Sequence, residues 1–377
     1  MKKFGIFLIF LALIASLIYF LYPNATDIIT KPSAREAYER EFQNTDQLFN
    51  KWKLLSEISK KDSLQVEIPF AESGLFSSEI LKIFTFEVSL KRGEIFHAEV
   101  KTEIDSIQVF MELFEQKNDS VSTFISIQSN RPNKLNISEE IKETGIYKIH
   151  IQPEIFADSP FQLKIYTQPQ YAFPVVGKDN RAIQSFWGAD REGGKRSHKG
   201  NDIFAARGTP VVAITDGIVS STGNRGLGGK QVWLRDGIFG QSLYYAHLDS
   251  IIARQGQRVK IGDTLGLVGN TGNARTTPPH LHFGIYTSGG AIDPYPFIKI
   301  SEIPKDEKPL SSSYGVIKPQ TSKLLQNPKR KSAVLQNLKR TDTISIFGKS
   351  GSYYHITSGD TLRGFILERD VKELFLN

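Results

Sequence analysis

Four of the seven histidines, His198, His247, His280 and His282, fall between residues 198 and 282. His198 and Asp202 stand four apart in S-H-K-G-N-D-I-F, a stretch where Gly200, Gly208 and Pro210 oppose a helix. In extended chain that even offset puts the imidazole and the carboxylate on one face. Downstream, P-P-H-L-H-F-G-I-Y alternates after its proline pair, so His280, His282 and Gly284 face one way and Leu281, Phe283 and Ile285 the other. Same-face neighbours on a strand lie roughly 6 to 7 Å apart, so one imidazole can ligate a metal while the other stands a water's distance away. Neutral imidazole and carboxylate suit zinc, and a catalytic zinc keeps three protein ligands and a water. Four histidines and one aspartate exceed that need. The surplus rings could move protons or stabilise an oxyanion, because their reference pKa lies near neutrality. Spacing alone leaves open which of His247, His280 and His282 completes the ligand set. Separate surface and core histidines are the alternative, and Tyr244-Tyr245-Ala246-His247-Leu248 taken alone favours it.

The elements that must position these groups belong to a chain of 377 residues, long enough for two or three domains. A hydrophobic share of 40% and a charged share of 23% exclude collagen-like, fully disordered and polytopic membrane classes for the bulk. The net charge of +7 suits an anionic partner such as nucleic acid, a membrane surface or an acidic wall polymer. Cysteine is absent, which removes disulfides, thiolate metal sites and cysteine nucleophiles.

Lys2 and Lys3 precede an uncharged run from Phe4 to Tyr22. At 1.5 Å per residue it reaches roughly 28 Å, enough to cross a bilayer with the lysines in the cytoplasm. Residues 1–23 are therefore read as a transmembrane anchor, with a cleaved signal sequence as the alternative. Either reading exports the rest of the chain and disfavours nucleic acid as a partner. Ser33 and Glu36 have capping-box spacing, and Tyr38, Phe42, Phe49, Trp52 and Leu55 recur at helical intervals. One amphipathic helix is predicted over 33–59, packed on the next domain or on a second copy.

From residue 60 to 168 the pattern has period two, which predicts a β-sandwich. His97 and His150 fall in its strands without ligand-spaced neighbours and read as ordinary strand residues. Residues 171–300 hold short β-prone runs and many glycines. Residues 301–340 are rich in Pro, Ser and Lys and read as a basic linker. Residues 341–377 alternate like a small barrel that could begin near 311, with His355 as a surface strand residue. The expected fold class is mainly β.

Several of these blocks resemble known families. Arg196-Ser197-His198-Lys199-Gly200-Asn201-Asp202-Ile203, Gly208-Thr209-Pro210-Val211, Asp216-Gly217, Tyr245-Ala246-His247-Leu248, Gly269-Asn270-Thr271-Gly272 and His280-Leu281-His282-Phe283 occur in the order of the LytM/lysostaphin family of zinc peptidoglycan endopeptidases. The resemblance covers residues 185–297. It implies one zinc on His198, Asp202 and His282, with His280 and His247 as catalytic histidines. The stretch Asn273–Pro279 is longer than the family's usual link and is expected to reshape one wall of the cleft. Residues 60–168, through Thr144-Gly145-Ile146-Tyr147-Lys148-Ile149, resemble the accessory sandwich of pre-peptidase C-terminal type. The C-terminal segment, through Gly364-Phe365-Ile366, resembles a bacterial SH3-type wall-binding domain.

These resemblances imply a membrane-anchored, extracytoplasmic enzyme of the cell envelope that cuts amide bonds in peptidoglycan. The main rival is a non-enzymatic LytM-like regulator of another wall hydrolase. Such proteins lack the metal ligands, and here all five polar positions are present. A wall-binding scaffold with structural zinc is disfavoured, since structural zinc usually takes four protein ligands, often thiolates.

Overall fold

The computed structural model describes residues 27–42, 46–78, 81–118, 123–191, 193–237, 240–359 and 362–375. The apolar run read as an anchor lies outside them. Among the described residues no helix is long and apolar enough to cross a membrane. The chain is mainly β, as the alternation predicts.

The single helix expected over 33–59 is instead two, Ala34–Glu39 and Gln47–Ser59. Ser33 does form the capping box: its hydroxyl accepts from the Glu36 N–H and the Glu36 carboxylate accepts from the Ser33 N–H. A second start signal divides the segment. The Asp46 carboxylate accepts from the Phe49 N–H at 3.0 Å and caps a new helix. Tyr38, Phe49 and Trp52 gather around Phe110, and the Trp52 indole donates to the Pro153 carbonyl at 2.9 Å. Both helices therefore pack on the sandwich, the next domain in the chain.

Residues 70–169 form two facing sheets. Strands Phe84–Leu90, Gly145–Pro153, Val109–Asn118 and Thr123–Ser129 make one. Phe70–Phe76, Ser159–Pro169, Glu94–Thr102 and Asn136–Glu140 belong to the other. The second sheet does not end at its first strand. Phe70–Phe76 also pairs with Thr343–Ser350, at Ser73 with Lys349 and Gly74 with Gly348, so the C-terminal strands continue the same sheet. Close approach demands glycine at this seam, where a Cβ on Gly348 would lie 2.2 Å from a Glu72 carboxylate oxygen. Phe347 and Phe365 enter the sandwich core, while Ile317, Leu324, Leu338, Ile346 and Ile356 form a separate core on the far side.

Two expectations are corrected here. The linker read over 301–340 contains strands Tyr314–Ile317, Thr321–Leu325 and Val334–Lys339. Their alternation is short, and flanking prolines and lysines disguise it, yet Ile317, Leu324 and Leu338 are buried. His355 is not on the surface. It is fully buried at the seam, with Nδ1 3.1 Å from the carboxylate of Glu72, which is equally buried. Its strand reads as exposed only while the barrel is imagined alone.

Residues 171–298 fold around their own core, which includes Val211, Val232, Leu243, Tyr245, Leu281, Phe283 and Ile285. Its main sheet runs Arg258–Val259, Gly217–Arg225, Gly229–Arg235, Ser242–Ala246, His280–Thr287, Asn201–Phe204, Ile183–Ser185. The region leaves and rejoins the rest of the molecule at adjacent points, where the Tyr171 N–H donates to the Phe297 carbonyl at 2.9 Å.

Candidate active site

Strand register brings the site together. Asn201–Phe204 runs antiparallel to His280–Thr287 with Asp202 opposite His282 and Phe204 opposite His280. On the other side, Ser242–Ala246 pairs with the same strand and puts Ala246 opposite His282, so His247 emerges beside it. Leu281, Phe283 and Ile285 are fully buried beneath, which pins the register, since a slip of one residue would exchange the faces. His198 enters from the hairpin Asp190–Arg191/Arg196–Ser197, fixed by backbone bonds with Ala189 and Gly188.

His198 Nε2, Asp202 Oδ1 and His282 Nδ1 converge, with separations of 3.0 Å, 2.9 Å and 3.0 Å. A tetrahedral zinc with bonds of about 2.0 to 2.1 Å requires ligand atoms about 3.3 Å apart, so this tripod could hold such an ion after a small expansion. The donor chemistry agrees. His198 Nδ1–H donates to the Phe186 carbonyl at 2.9 Å, which leaves the Nε2 lone pair for a metal. Arg191 Nη2 binds Asp202 Oδ2 at 2.6 Å and frees Oδ1. Burial works to raise the Asp202 pKa, but the His198 and His282 rings set against Oδ1 outweigh it and hold the carboxyl far below the usual range. Gly200 makes room for His282, because a Cβ there would stand 2.8 Å from its ring and 2.5 Å from the Phe283 carbonyl.

The other two histidines flank this tripod. His280 Nδ1–H donates to the Pro278 carbonyl at 2.8 Å, and His247 Nδ1–H to the Thr271 carbonyl at 2.9 Å. Both neutral rings therefore keep an Nε2 lone pair. His280 Nε2 lies 4.0 Å from Asp202 Oδ1, and its ring stacks on Phe204. The centroids of His247 and His280 are 5.1 Å apart. Burial, then the neighbouring His282 and His280, push the His247 pKa down to about 4. His247 also has a left-handed backbone, φ +62°, rare for a side chain of its size and typical of functional positions.

All five residues singled out in the sequence thus meet in one cleft of about 970 Å³. Asn273, Ala274 and Thr277 of the long link line it, as expected of that stretch. Arg191, Tyr244 and Tyr286 also line it and were not singled out. The Gly193-Gly194 turn marks a hairpin, but nothing local shows that Arg191 reaches Asp202.

Comparison with known proteins agrees with this geometry: residues 196–294 match the profile of Peptidase family M23. The chain carries a peptidase family M23 domain. Over 145 residues it is 37% identical to the L-Ala–D-Glu endopeptidase of Bacillus subtilis, a match covering 35% of this chain and 44% of that protein. It is 40% identical over 111 residues to the glycyl-glycine endopeptidase ALE-1 of Staphylococcus capitis, covering 27% and 29%. Among solved structures, the catalytic domain of lysostaphin from Staphylococcus simulans aligns with 30% of this chain and 88% of its own, at 34% identity and a TM-score of 0.28. The chain spans less than half the length of these curated relatives. All five site residues lie inside the M23 domain, and no described residue outside 184–286 lines its cleft.

Proposed function

We propose that the protein is a zinc-dependent endopeptidase of the cell envelope that hydrolyses amide bonds in the stem peptides or cross-links of peptidoglycan. The observation that carries this reading is the meeting of a three-atom ligand tripod and two further imidazoles in one cleft. His198 Nε2, Asp202 Oδ1 and His282 Nδ1 would hold one zinc, which when bound supplies Lewis acidity toward a water and a scissile carbonyl. His280 is assigned as the general base. Its Nε2 lone pair is available, because Nδ1–H is spent on the Pro278 carbonyl, and Nε2 stands 4.0 Å from Asp202 Oδ1 beside the tripod. The same ring then returns the proton to the departing amine nitrogen. His247 stands across the cleft, and with Nδ1–H committed to Thr271 its Nε2 accepts a proton before it can donate to an oxyanion or an amine. Membrane anchoring through residues 1–23 and wall binding by the C-terminal strands belong to the same proposal.

Digestion of purified muropeptides by the zinc-loaded chain, followed by mass spectrometry, tests this reading. New amide cleavage that a chelator abolishes and zinc restores is expected. A folded, zinc-loaded protein that cuts no muropeptide but stimulates another wall hydrolase would establish the regulator instead.

A further inference from the structure

Four cationic side chains line the cleft, Arg191, Lys195, Arg196 and Lys199, whereas Asp202 is the single carboxylate among its described lining residues. Asp190 lies on the same hairpin but does not line the cleft. Among the described lining residues cations therefore outnumber carboxylates, against an excess of only +7 over the whole chain of 377 residues. Arg191 is committed to Asp202 and Ser185. Lys195 and Lys199 have no ion-pair partner among the described residues, and they bracket the ligand His198 in the chain. The Lys199 carbonyl stands 3.1 Å from where a Cβ on Gly284 would be, so the backbone of this lysine lies against the strand that carries His282.

Unpaired cations around a half-open cleft stabilise an anionic ligand and penalise nothing in a neutral one, so they raise affinity selectively for acidic substrates. Resting on the endopeptidase reading above, we infer that this cleft selects stem peptides bearing a free carboxylate next to the scissile bond over amidated stems and neutral glycine bridges. Lys195 and Lys199 are the groups that read the charge.

The test uses the full zinc-loaded chain and two muropeptides that differ only at the second stem residue, D-glutamate or its α-amide D-isoglutamine. A pentaglycine-bridged peptide serves as the neutral comparison. The free carboxylate should raise kcat/KM by about tenfold, two partly exposed ion pairs each contributing a few-fold, and added salt should shrink the ratio. Lys195→Gln with Lys199→Gln should bring the two stems together, and Lys195→Arg with Lys199→Arg should restore the preference. Equal cleavage of both stems, preference for pentaglycine, or a preference that survives the double Gln variant would overturn the inference while leaving the endopeptidase reading intact. Calorimetric binding of the same stems to metal-free protein separates the two failures. A charge preference in binding without any cleavage sustains the inference and sinks the activity, whereas equal or absent binding of both stems sinks the inference.

Discussion

His280 and His282 share a strand face two residues apart, yet their ring nitrogens have different fates. His282 Nδ1 points at Asp202 and His198, while His280 spends Nδ1 on the Pro278 carbonyl. His282→Ala should therefore lose zinc and activity together. His280→Ala should keep near-stoichiometric zinc and lose roughly 100-fold or more in turnover, with elemental analysis and muropeptide cleavage read side by side. Arg191 reaches Asp202 Oδ2 and would act on a bound zinc only through that carboxylate, as a positioning residue. Arg191→Ala should weaken zinc binding by about 10- to 100-fold, the scale of removing a partner that orients a ligand, measured by competition with a chelator. His247 makes a sharper claim about protons. With its pKa at about 4, its ring in metal-free protein should stay neutral from pH 8 to pH 5, and NMR resonances that titrate near 6.5 would contradict the buried geometry.

At the scale of elements, His150 shows how a polar group can hold a helix to a sheet. It is fully buried, with one ring nitrogen 3.0 Å from the Ser56 hydroxyl of the helix and the other 3.0 Å from Thr85 on the neighbouring strand. Burial, then the charges of Arg35 and Lys60, lower its pKa well below the ordinary value. The unfolded chain therefore takes up the proton first. Stability should be constant with respect to this group above about pH 6.5 and fall as the pH drops below it toward the folded value. Denaturant midpoints between pH 8 and pH 5 measure this, and His150→Gln should flatten the slope. His150 read as an ordinary strand residue because its partners come from residues 56 and 85. The strand His280–Thr287 was readable from its alternation, because Leu281, Phe283 and Ile285 make one face apolar and fully buried. The broken helix was not: aromatic spacing continues across residues 40–46, and only the cap formed by Asp46 marks the restart. The strands hidden in the basic stretch escaped for a similar reason, since four to six residues between lysines and prolines carry too little periodicity to outweigh composition.

For the whole molecule, the decisive feature invisible to local pattern is the seam between Phe70–Phe76 and Thr343–Ser350. Pairing between strands nearly 280 residues apart leaves no trace in either one's sequence. Its energetics suggest a consequence for truncation. Without residues 314–377, the strand Phe70–Phe76 loses a partner, Phe70 loses the ring of Phe365, Phe84 that of Phe347 and Phe86 that of His355, and Glu72 loses His355. Such a truncation should lower the thermal midpoint of the sandwich and promote association, as seen by circular dichroism and size-exclusion chromatography. A truncated protein that melts like the full chain would show that the seam contributes little. Residues 171–300, with a core of their own, should by contrast fold and bind about one zinc in isolation.

The closeness of Tyr171 to Phe297 adds a topological point. The segment 301–308 doubles back along the sandwich, where Gln162 exchanges hydrogen bonds with Glu307 and Lys164 pairs with Asp306. Sandwich and C-terminal strands are thus one body interrupted in the chain, and the M23 domain is a guest spliced into it through two neighbouring ends. A guest held at both ends cannot swivel as one on a single tether can. The direction in which the cleft opens is therefore a property of the host, and exchanging the guest for another with equally close ends would change the chemistry of the cleft without changing the way it faces.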